Sequence, residues 1–290
     1  MYVIKLRSII CYILIFAAVV SAAKICEMSN SRTALAEIEE GSVALPVLMY
    51  HSVCGEAGKA AKFIVSEQDL RADFEYIKNN GYTTVGSAEL IDFAENGTPL
   101  PEKPIMITFD DGYYNNYKIA FPLLKEYNMK AVISIIGRYT DLYSENNEEN
   151  GNYSHITWNE AREMIDSGLV EIQNHSYNSH TTGEGRNGTK KKKGESETAY
   201  AEYIYSDIGK LQDEIEDHLG YTPQLFAYPF GSVCDASYAP LKQLGFKITL
   251  SCEEKVNYIK PGDTDALYML GRYLRPHSKS AAKILDKAMK

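Results

Sequence analysis

The chain has 290 residues, with 39 acidic side chains against 30 basic ones and a formal net charge of −9. This excess of acid argues against a general nucleic-acid-binding protein, which would carry more basic than acidic side chains. The hydrophobic fraction of 44% and the charged fraction of 24% are ordinary for a globular protein, and one barrel-sized domain accounts for nearly the whole length.

The N-terminus has the pattern of a secretory signal. Two basic residues precede a stretch of apolar or small residues that ends in Val-Ser-Ala-Ala. We predict a signal peptide or N-terminal membrane anchor over residues 1–23; the anchor is the alternative, because the apolar run is short for the roughly 20 residues of a membrane span. Residues 24–42 are predicted as a polar linker and residues 43–290 as the folded domain. The protein is therefore expected outside the cell or on its surface, secreted or membrane-anchored.

Export would permit disulfide bonds in the folded protein. Four cysteines follow the predicted signal, and they allow three pairings, among which the sequence does not choose. Free, buried thiols are the alternative, and the absence of Cys-x-x-Cys spacing argues against a structural zinc cluster. The four are Cys26, Cys54, Cys234 and Cys252.

Strand-like and helix-like segments alternate along the folded domain. The predicted strands cover residues 44–50 and 82–85, a run from 105 into the aspartates at 110 and 111, and residues 131–136, 170–173, 224–228, 247–251 and 267–270. The predicted helices cover residues 66–79, 88–95, 116–127, about 158–167, 197–219, 236–244 and the C-terminal residues from 280, and residues 137–154 are predicted as a polar loop. Such an alternation predicts a parallel α/β fold, and about seven units suit a closed or nearly closed barrel. An open doubly wound sheet is the alternative, although it would lack a glycine-rich phosphate loop.

A dense run of four lysines, Lys190–Lys193, lies in a glycine-rich segment before the longest predicted helix. We interpret it as a flexible, solvated loop, and contact with an anionic wall polymer is the alternative.

The run Ile105-Met-Ile-Thr-Phe-Asp-Asp-Gly112 places two adjacent carboxylates at the end of a strand. Neighbouring strand residues point to opposite sides, so Asp110 and Asp111 can share a site only if the chain turns there, which Gly112 permits. One carboxylate could then hold a divalent cation while the other accepts a proton. Taken alone, Asp-Asp-Gly is more typical of a surface turn.

His175 and His180 also follow an apolar strand. Five residues apart, they would diverge by roughly 140° on a helix, so a shared ion requires a loop. Together with Asp111 they make a two-histidine, one-carboxylate set, which suits Zn²⁺ with an open position for water. Two unrelated surface histidines are the alternative.

A third run, Tyr228-Pro229-Phe230-Gly231, follows another predicted strand. We interpret these four residues as a wall of a substrate pocket, because aromatic faces suit sugar or acetyl groups. A backbone N–H near Phe230 could also face a developing oxyanion. A simple Pro-Gly turn beside aromatic core residues is the alternative.

Together the three runs resemble the NodB-homology polysaccharide deacetylases, carbohydrate esterase family 4. Thr108-Phe-Asp-Asp-Gly112 is similar to the first motif of that family, His175-Ser176 with His180 to its second, and Tyr228-Pro-Phe-Gly231 to its third. The resemblance covers residues 44 to about 277. It implies a deformed (β/α) barrel of about seven strands that forms a single catalytic domain.

The resemblance also implies roles for the site residues. Asp110 would be the general base, and Asp111, His175 and His180 would hold the metal. The five-residue spacing of the histidines, and the early run Pro46-Val-Leu-Met-Tyr-His-Ser52, are similar to the branch that acts on poly-β-1,6-N-acetylglucosamine.

The sequence departs from the family pattern at two further positions. Ala227 stands where many members carry an arginine that orients the base, and we name Arg272 and Arg275 as replacements. The late motif that bears the general acid has no clean match, although His277 lies nearby. Because a barrel joins its first and last strands, His51 at the end of the first strand is preferred to His277 as the acid. A buried, non-catalytic His51 is the alternative.

These features predict a metal-dependent hydrolase that removes N-acetyl groups from N-acetylglucosamine residues of a cell-surface or extracellular polysaccharide. Peptidoglycan and acetylated xylan are alternative substrates on the same fold, and a catalytically silent carbohydrate-binding protein is the alternative of another class. The expected partners are the polysaccharide and a divalent metal, most readily Zn²⁺, with a membrane tether through the N-terminus and no nucleic acid.

Overall fold

The computed structural model describes residues 41–55, 60–183 and 185–290. The predicted signal peptide or anchor, nearly all of the predicted linker and Cys26 therefore lie outside the described residues. Val43–Lys290 forms one compact unit. No helix in the described part of the chain combines the length and apolar character needed to span a bilayer.

Seven parallel strands form the central sheet, and each runs from a preceding loop or helix toward the same rim. In chain order they are β1 (Val47–Tyr50), β2 (Pro104–Asp111), β3 (Ala131–Ile135), β4 (Val170–Asn174), β5 (Leu225–Ala227), β6 (Ile248–Leu250) and β7 (Tyr273–Leu274). Their spatial order is β6-β5-β4-β3-β2-β1-β7, and a two-residue strand, Thr83–Thr84, pairs with the start of β2.

The sheet curls because its last strand returns to its first. β7 pairs with β1, and Leu270, just before β7, forms a parallel bridge with Leu250 at the end of β6. One short segment thus contacts both ends of the sheet, as in a deformed (β/α) barrel. The predicted fold class is confirmed.

Nine α-helices in the described residues surround or cap this sheet. They are α1 (Glu67–Asn79), α2 (Ser87–Asn96), α3 (Phe121–Tyr127), α4 (Gly137–Asn146), α5 (Trp158–Asp166), α6 (Glu197–Ile204), α7 (Lys210–Leu219), α8 (Tyr238–Gln243) and α9 (Ala281–Ala288). π-helical turns at Asn116–Ala120 and Tyr205–Gly209 lead into α3 and α7, and 3₁₀ turns occupy Pro229–Gly231, Asp235–Ser237 and Thr264–Leu267. Short paired strands join Val43–Leu45 to Asn257–Ile259, Ser52–Cys54 to Ile64–Ser66, and Thr182–Gly183 to Arg186–Asn187.

Local capping signals account for the helices that were predicted well. Ser66 with Asp69 and Thr157 with Glu160 form reciprocal capping boxes at the starts of α1 and α5. Ser280 caps α9 by accepting the N–H of Lys283.

Two local predictions are wrong. The segment predicted as a loop over 137–154 contains α4, which begins after Ile136 without any side-chain cap and so gives no start signal. The strand predicted over 267–270 is replaced by the 3₁₀ turn Thr264–Leu267, because the Asp263 carboxylate accepts the N–H of Ala266 and begins a turn there. The strand that pairs with β1 lies three residues beyond the predicted one, at Tyr273–Leu274.

The two faces of β2 pack into different clusters. Ile107 and Phe109 pack with the helices outside the barrel, whereas Met106 packs with Leu225 and Ile248 in its interior. Side chains alternate between the two faces of a strand. Asp110 lies four residues after Met106, so it is on the same face and points inward. A buried carboxylate at that position needs a charged partner from elsewhere in the chain.

Candidate active site

The turn after β2 brings both aspartates to one rim. Asp111 has a φ of 72° and Gly112 a φ of 68°, so the chain leaves the strand at Asp111 and the strict alternation ends there. A Cβ on Gly112 would lie 2.9 Å from Cγ2 of Ile135 on β3, so this close approach requires glycine. The strained turn is what lets adjacent carboxylates face one cavity.

Arg272 is the charged partner of Asp110. Its Nη1 and Nη2 donate to the two carboxylate oxygens at 2.7 and 2.8 Å, and its Nε donates to the carbonyl of Ser251 at 2.9 Å. Both side chains are almost fully buried. Burial by itself would raise the pKa of Asp110, but the charge and the hydrogen bonds of Arg272 outweigh it and hold that pKa far below its ordinary value.

Asp111, His175 and His180 converge on one point. Oδ1 of Asp111 lies 3.5 Å from Nε2 of His175 and 3.4 Å from Nε2 of His180, and one ligand atom from each residue lies within 4.8 Å of the others. The edges of a zinc tetrahedron with bonds near 2.0 Å are about 3.3 Å long. Two of the three spacings thus match a tetrahedral ion closely.

His175 is oriented for this role by the backbone. Its Nδ1–H donates to the carbonyl of Ala227 at 2.7 Å, which directs Nε2 toward Asp111. Asn174 braces the loop, since its Oδ1 accepts the N–H of Ser176 at 2.8 Å, and Ser176 has a φ of 82°. The two histidines therefore leave β4 in a loop, as their spacing requires.

The electrostatics of the three residues fit a cation. Burial raises the pKa of Asp111 to about 6 and lowers the pKa of His175 to about 3; burial also lowers the pKa of His180. Oδ1 of Asp111 is buried and has no hydrogen-bond partner in the described structure. A divalent ion would satisfy this orphaned oxygen while both histidines stay neutral, so the donor set fits the metal that the sequence implied.

A cavity of about 750 Å³ opens above these residues. His51, at the end of β1, lines it, and its ring packs on Phe63 with centroids 4.9 Å apart. Its Nδ1 is buried without a hydrogen-bond partner among the described residues. His277 instead lies on the surface, where Nδ1 contacts Asp69 at 2.7 Å, and it does not line the cavity.

The two arginines named from the sequence are separated by the fold. Arg272 reaches Asp110, whereas Nε of Arg275 donates to Asp73 on α1 at 2.6 Å. Arg275 does not line the cavity.

The third run is a tight turn from which one ring enters the cavity. Phe230, with a φ of 58°, lines the cavity and packs on His180 with centroids 4.2 Å apart. Tyr228 is buried behind it, and its hydroxyl contacts Oγ of Ser237 at 2.7 Å. A Cβ on Gly231 would lie 2.7 Å from Cβ of Cys252. Tyr228, Pro229 and Gly231 thus shape the turn, and Phe230 presents its ring.

The cavity includes residues that the motifs did not reveal. Tyr113 lines it beside Asp111 and stacks on His155 with centroids 4.8 Å apart. Phe63 and Cys252 also line it, and neither Cys234 nor Cys252 forms a disulfide. Tyr113 directly follows the Asp-Asp-Gly run, and this adjacency was a usable signal. No local pattern marks Phe63 or Cys252.

Comparison with known proteins agrees with this geometry. Residues 97–249 match the family model described as polysaccharide deacetylase. A poly-β-1,6-N-acetyl-D-glucosamine N-deacetylase of Escherichia coli K12 is 29% identical over 224 residues; the match covers 71% of this chain but only 33% of that protein. A protein of the same name from Staphylococcus aureus MRSA252 is 26% identical, with coverages of 73% and 68%.

Solved structures give the same result. A de-N-acetylase from Aggregatibacter actinomycetemcomitans superposes with a TM-score of 0.72 at 28% identity, covering 84% of this chain and 99% of that one. IcaB from Ammonifex degensii superposes with a TM-score of 0.68 at 25% identity, covering 85% and 96%. The resemblance inferred from the three motifs is confirmed, and the chain belongs to the polysaccharide deacetylase family.

Proposed function

We propose that this protein is a Zn²⁺-dependent N-deacetylase that releases acetate from N-acetylglucosamine residues of an extracellular polysaccharide. The observation that carries the proposal is that one cavity holds both an oriented carboxylate and three candidate metal ligands. Both oxygens of Asp110 accept hydrogen bonds from Arg272. Beside this pair, one donor atom each comes from Asp111, His175 and His180. A base and a metal site on the same turn are what amide hydrolysis needs.

Asp110 serves as the general base. Its depressed pKa keeps it a carboxylate at every working pH, and Arg272 fixes the orientation of its oxygens. When bound, a divalent cation supplies the Lewis acidity that polarises the acetyl carbonyl and acidifies a water molecule, which so weak a base requires. Asp110 takes a proton as the water oxygen bonds to the carbonyl carbon.

His51 serves as the general acid. It lines the same cavity as Asp110, and it donates a proton to the amine nitrogen as the carbon–nitrogen bond breaks. The backbone N–H at Phe230 is assigned to the oxyanion, and the Phe230 ring to the sugar or its acetyl group. Acetate and a free amino sugar are the products.

The substrate is assigned from the names of the bacterial relatives. This chain covers only a third of the Escherichia coli protein, so the assignment is part of the proposal. It is supported by the five-residue histidine spacing and by His51 at the end of β1. Action outside the cell is supported by the signal-like N-terminus.

The test is acetate release from β-1,6-linked N-acetylglucosamine oligomers by the full chain, with and without a chelator. We expect chelator-sensitive release that zinc or cobalt restores. Asp110→Asn should lose turnover by at least about 100-fold while binding the metal normally, and full activity in that variant would remove the base assignment. Release only from peptidoglycan or acetylated xylan would change the substrate, and polymer binding without release from any of them would favour a silent carbohydrate-binding protein.

A further inference from the structure

The lysine run lies on a hairpin next to the active-site cavity. The hairpin begins directly after His180, with Thr182–Gly183 paired to Arg186–Asn187. A Cβ on Gly188 would lie 2.8 Å from the carbonyl oxygen of Pro229 and 3.4 Å from the Phe230 ring. Lys190 follows Gly188 by two residues, so their Cα atoms are no more than about 8 Å apart. Lys190, the first lysine of the run, therefore stands close to the ring that lines the cavity.

Side-chain contacts link the backbone of this segment to its neighbours. Arg186 donates to the carbonyl of Lys190 at 3.0 Å and to Glu195 at 2.5 Å, while Glu195 accepts the N–H of Lys192 at 2.8 Å. The Arg186 guanidinium lies 3.6 Å from the ring centre of Tyr203 on α6. Lys190–Lys193 is called here the lysine ridge, and Arg186 and Glu195 contact its backbone at Lys190 and Lys192.

The acidic residues near the ridge neutralise it only in part. Glu195 is occupied by Arg186, and Glu197 pairs with Lys191. Lys190 and Lys193 are exposed, and within the described residues neither has an acidic partner. These two charges persist on a protein whose net charge is −9. Such a local excess of one sign attracts a ligand of the opposite sign.

We propose that the lysine ridge binds a linear polyanion, an extracellular polymer bearing phosphate or carboxylate groups, beside the mouth of the catalytic cavity. A linear polymer fits because it can contact the exposed Lys190 and Lys193 and leave the cavity open, whereas a flat membrane seated there would cover it. The net charge of −9 argues against a general nucleic-acid binder. Binding at this ridge would hold the enzyme on an anionic matrix in which its neutral substrate is embedded.

The experiment measures binding of the full chain to inorganic polyphosphate as a function of salt concentration. The test variant is Lys190→Gln with Lys193→Gln. The matched control is Lys283→Gln with Lys287→Gln, which removes the same charge from exposed positions of α9. We expect the test variant to bind about tenfold more weakly and with a shallower salt dependence, while the control binds as the native chain does.

Equal weakening in both variants, or in neither, would overturn the proposal. A second arm uses vesicles of phosphatidylcholine with phosphatidylglycerol. Loss of vesicle binding in the test variant, without loss of polyphosphate binding, would assign the ridge to a membrane instead. Acetate release from neutral oligomers is scored separately, so failure of the proposed hydrolysis and failure of polyanion binding are distinguishable.

Discussion

At the scale of single residues, the buried ion pair of Asp110 and Arg272 dominates the site. Both oxygens of the carboxylate are engaged, and neither side chain reaches bulk water. In such a pair the mutual attraction roughly offsets the loss of hydration, whereas one partner left alone is strongly unfavourable. The arginine therefore keeps the buried carboxylate ionised and fixes its orientation.

Replacement of Arg272 by Met should damage stability and turnover together. We expect a loss of about 3 kcal/mol in the free energy of unfolding, because Asp110 is left buried and unpaired. Acetate release per folded molecule should fall by about 100-fold, since the base is no longer oriented. Urea unfolding and acetate assays measure the two effects. In the double variant with Asp110→Asn, stability should recover in part and activity should not; recovery of activity would contradict the assignment.

Gly112→Ala tests the turn that joins the two aspartates. The added Cβ would strain a residue with a φ of 68° and press on Ile135. We expect a loss of about 2 kcal/mol in stability and weaker metal binding, because Asp111 is displaced. Gly151→Ala serves as the control, because a Cβ there meets no atom within 4 Å. Metal affinity equal to that of the native chain would show that the turn tolerates a side chain.

At the scale of elements, α4 and α7 each carry a partly buried acidic side chain, and the two side chains interact. Burial and the charge of Asp141 on α4 raise the pKa of Glu214 on α7 to about 7, although Lys210 opposes the shift. Oε2 of Glu214 has no hydrogen-bond partner among the described residues. The ionised carboxylate is thus unfavourable in the contact between these helices.

Glu214→Gln should stabilise the protein, and the gain should depend on pH. The folded-state pKa lies above the ordinary value of 4.5 for a glutamate, so the folded protein keeps a proton that the unfolded chain has released between about pH 4.5 and 7. Native stability therefore falls across this window, and the deficit is complete above it. We expect the variant to gain about 1 kcal/mol at pH 8 and nothing at pH 4, a modest value because the group is partly solvated. A gain independent of pH in urea unfolding would contradict this account.

At the scale of the whole molecule, Asp73 ties the end of the chain to its beginning. It accepts hydrogen bonds from Tyr50 of β1 at 3.0 Å, from Arg275 after β7 at 2.6 Å, and from the N–H of Ala281 at the start of α9 at 2.9 Å. Burial raises the pKa of Asp73 against the opposing charge of Arg275. The contacts hold the last strand beside the first, and so they complete the curl of the sheet.

Arg275→Met should therefore weaken the whole fold. We expect a loss of about 3 kcal/mol in the free energy of unfolding, because Asp73 remains buried without its cation. Lys287→Met, which removes an exposed cation from α9, should change stability by no more than about 0.5 kcal/mol. An unchanged urea midpoint for Arg275→Met would show that this contact does not hold the C-terminal segment.

Local sequence patterns predicted the helices whose first turn is capped by a nearby side chain. The capping boxes at Ser66 and Thr157 marked α1 and α5, while α4 was missed because Ile136 offers no cap. The lysine ridge was interpreted as flexible because its composition is that of a loop. The contacts of Arg186 and Glu195 with its backbone have no signal in the local sequence.

Three motifs in the sequence indicated the family. The sequence by itself also determined most of the strands and helices in chain order, and the presence of Asp110, Asp111, His175 and His180 at or just after strand ends. These follow from side-chain alternation, capping and turn chemistry, which act over a few residues. Only the tertiary structure decided that Arg272 rather than Arg275 meets Asp110, across a separation of 162 residues. It also decided which histidine lines the cavity. Both outcomes depend on how β7 pairs with β1. These strands are far apart in the sequence, so their pairing depends on how the whole domain packs and not on a local pattern.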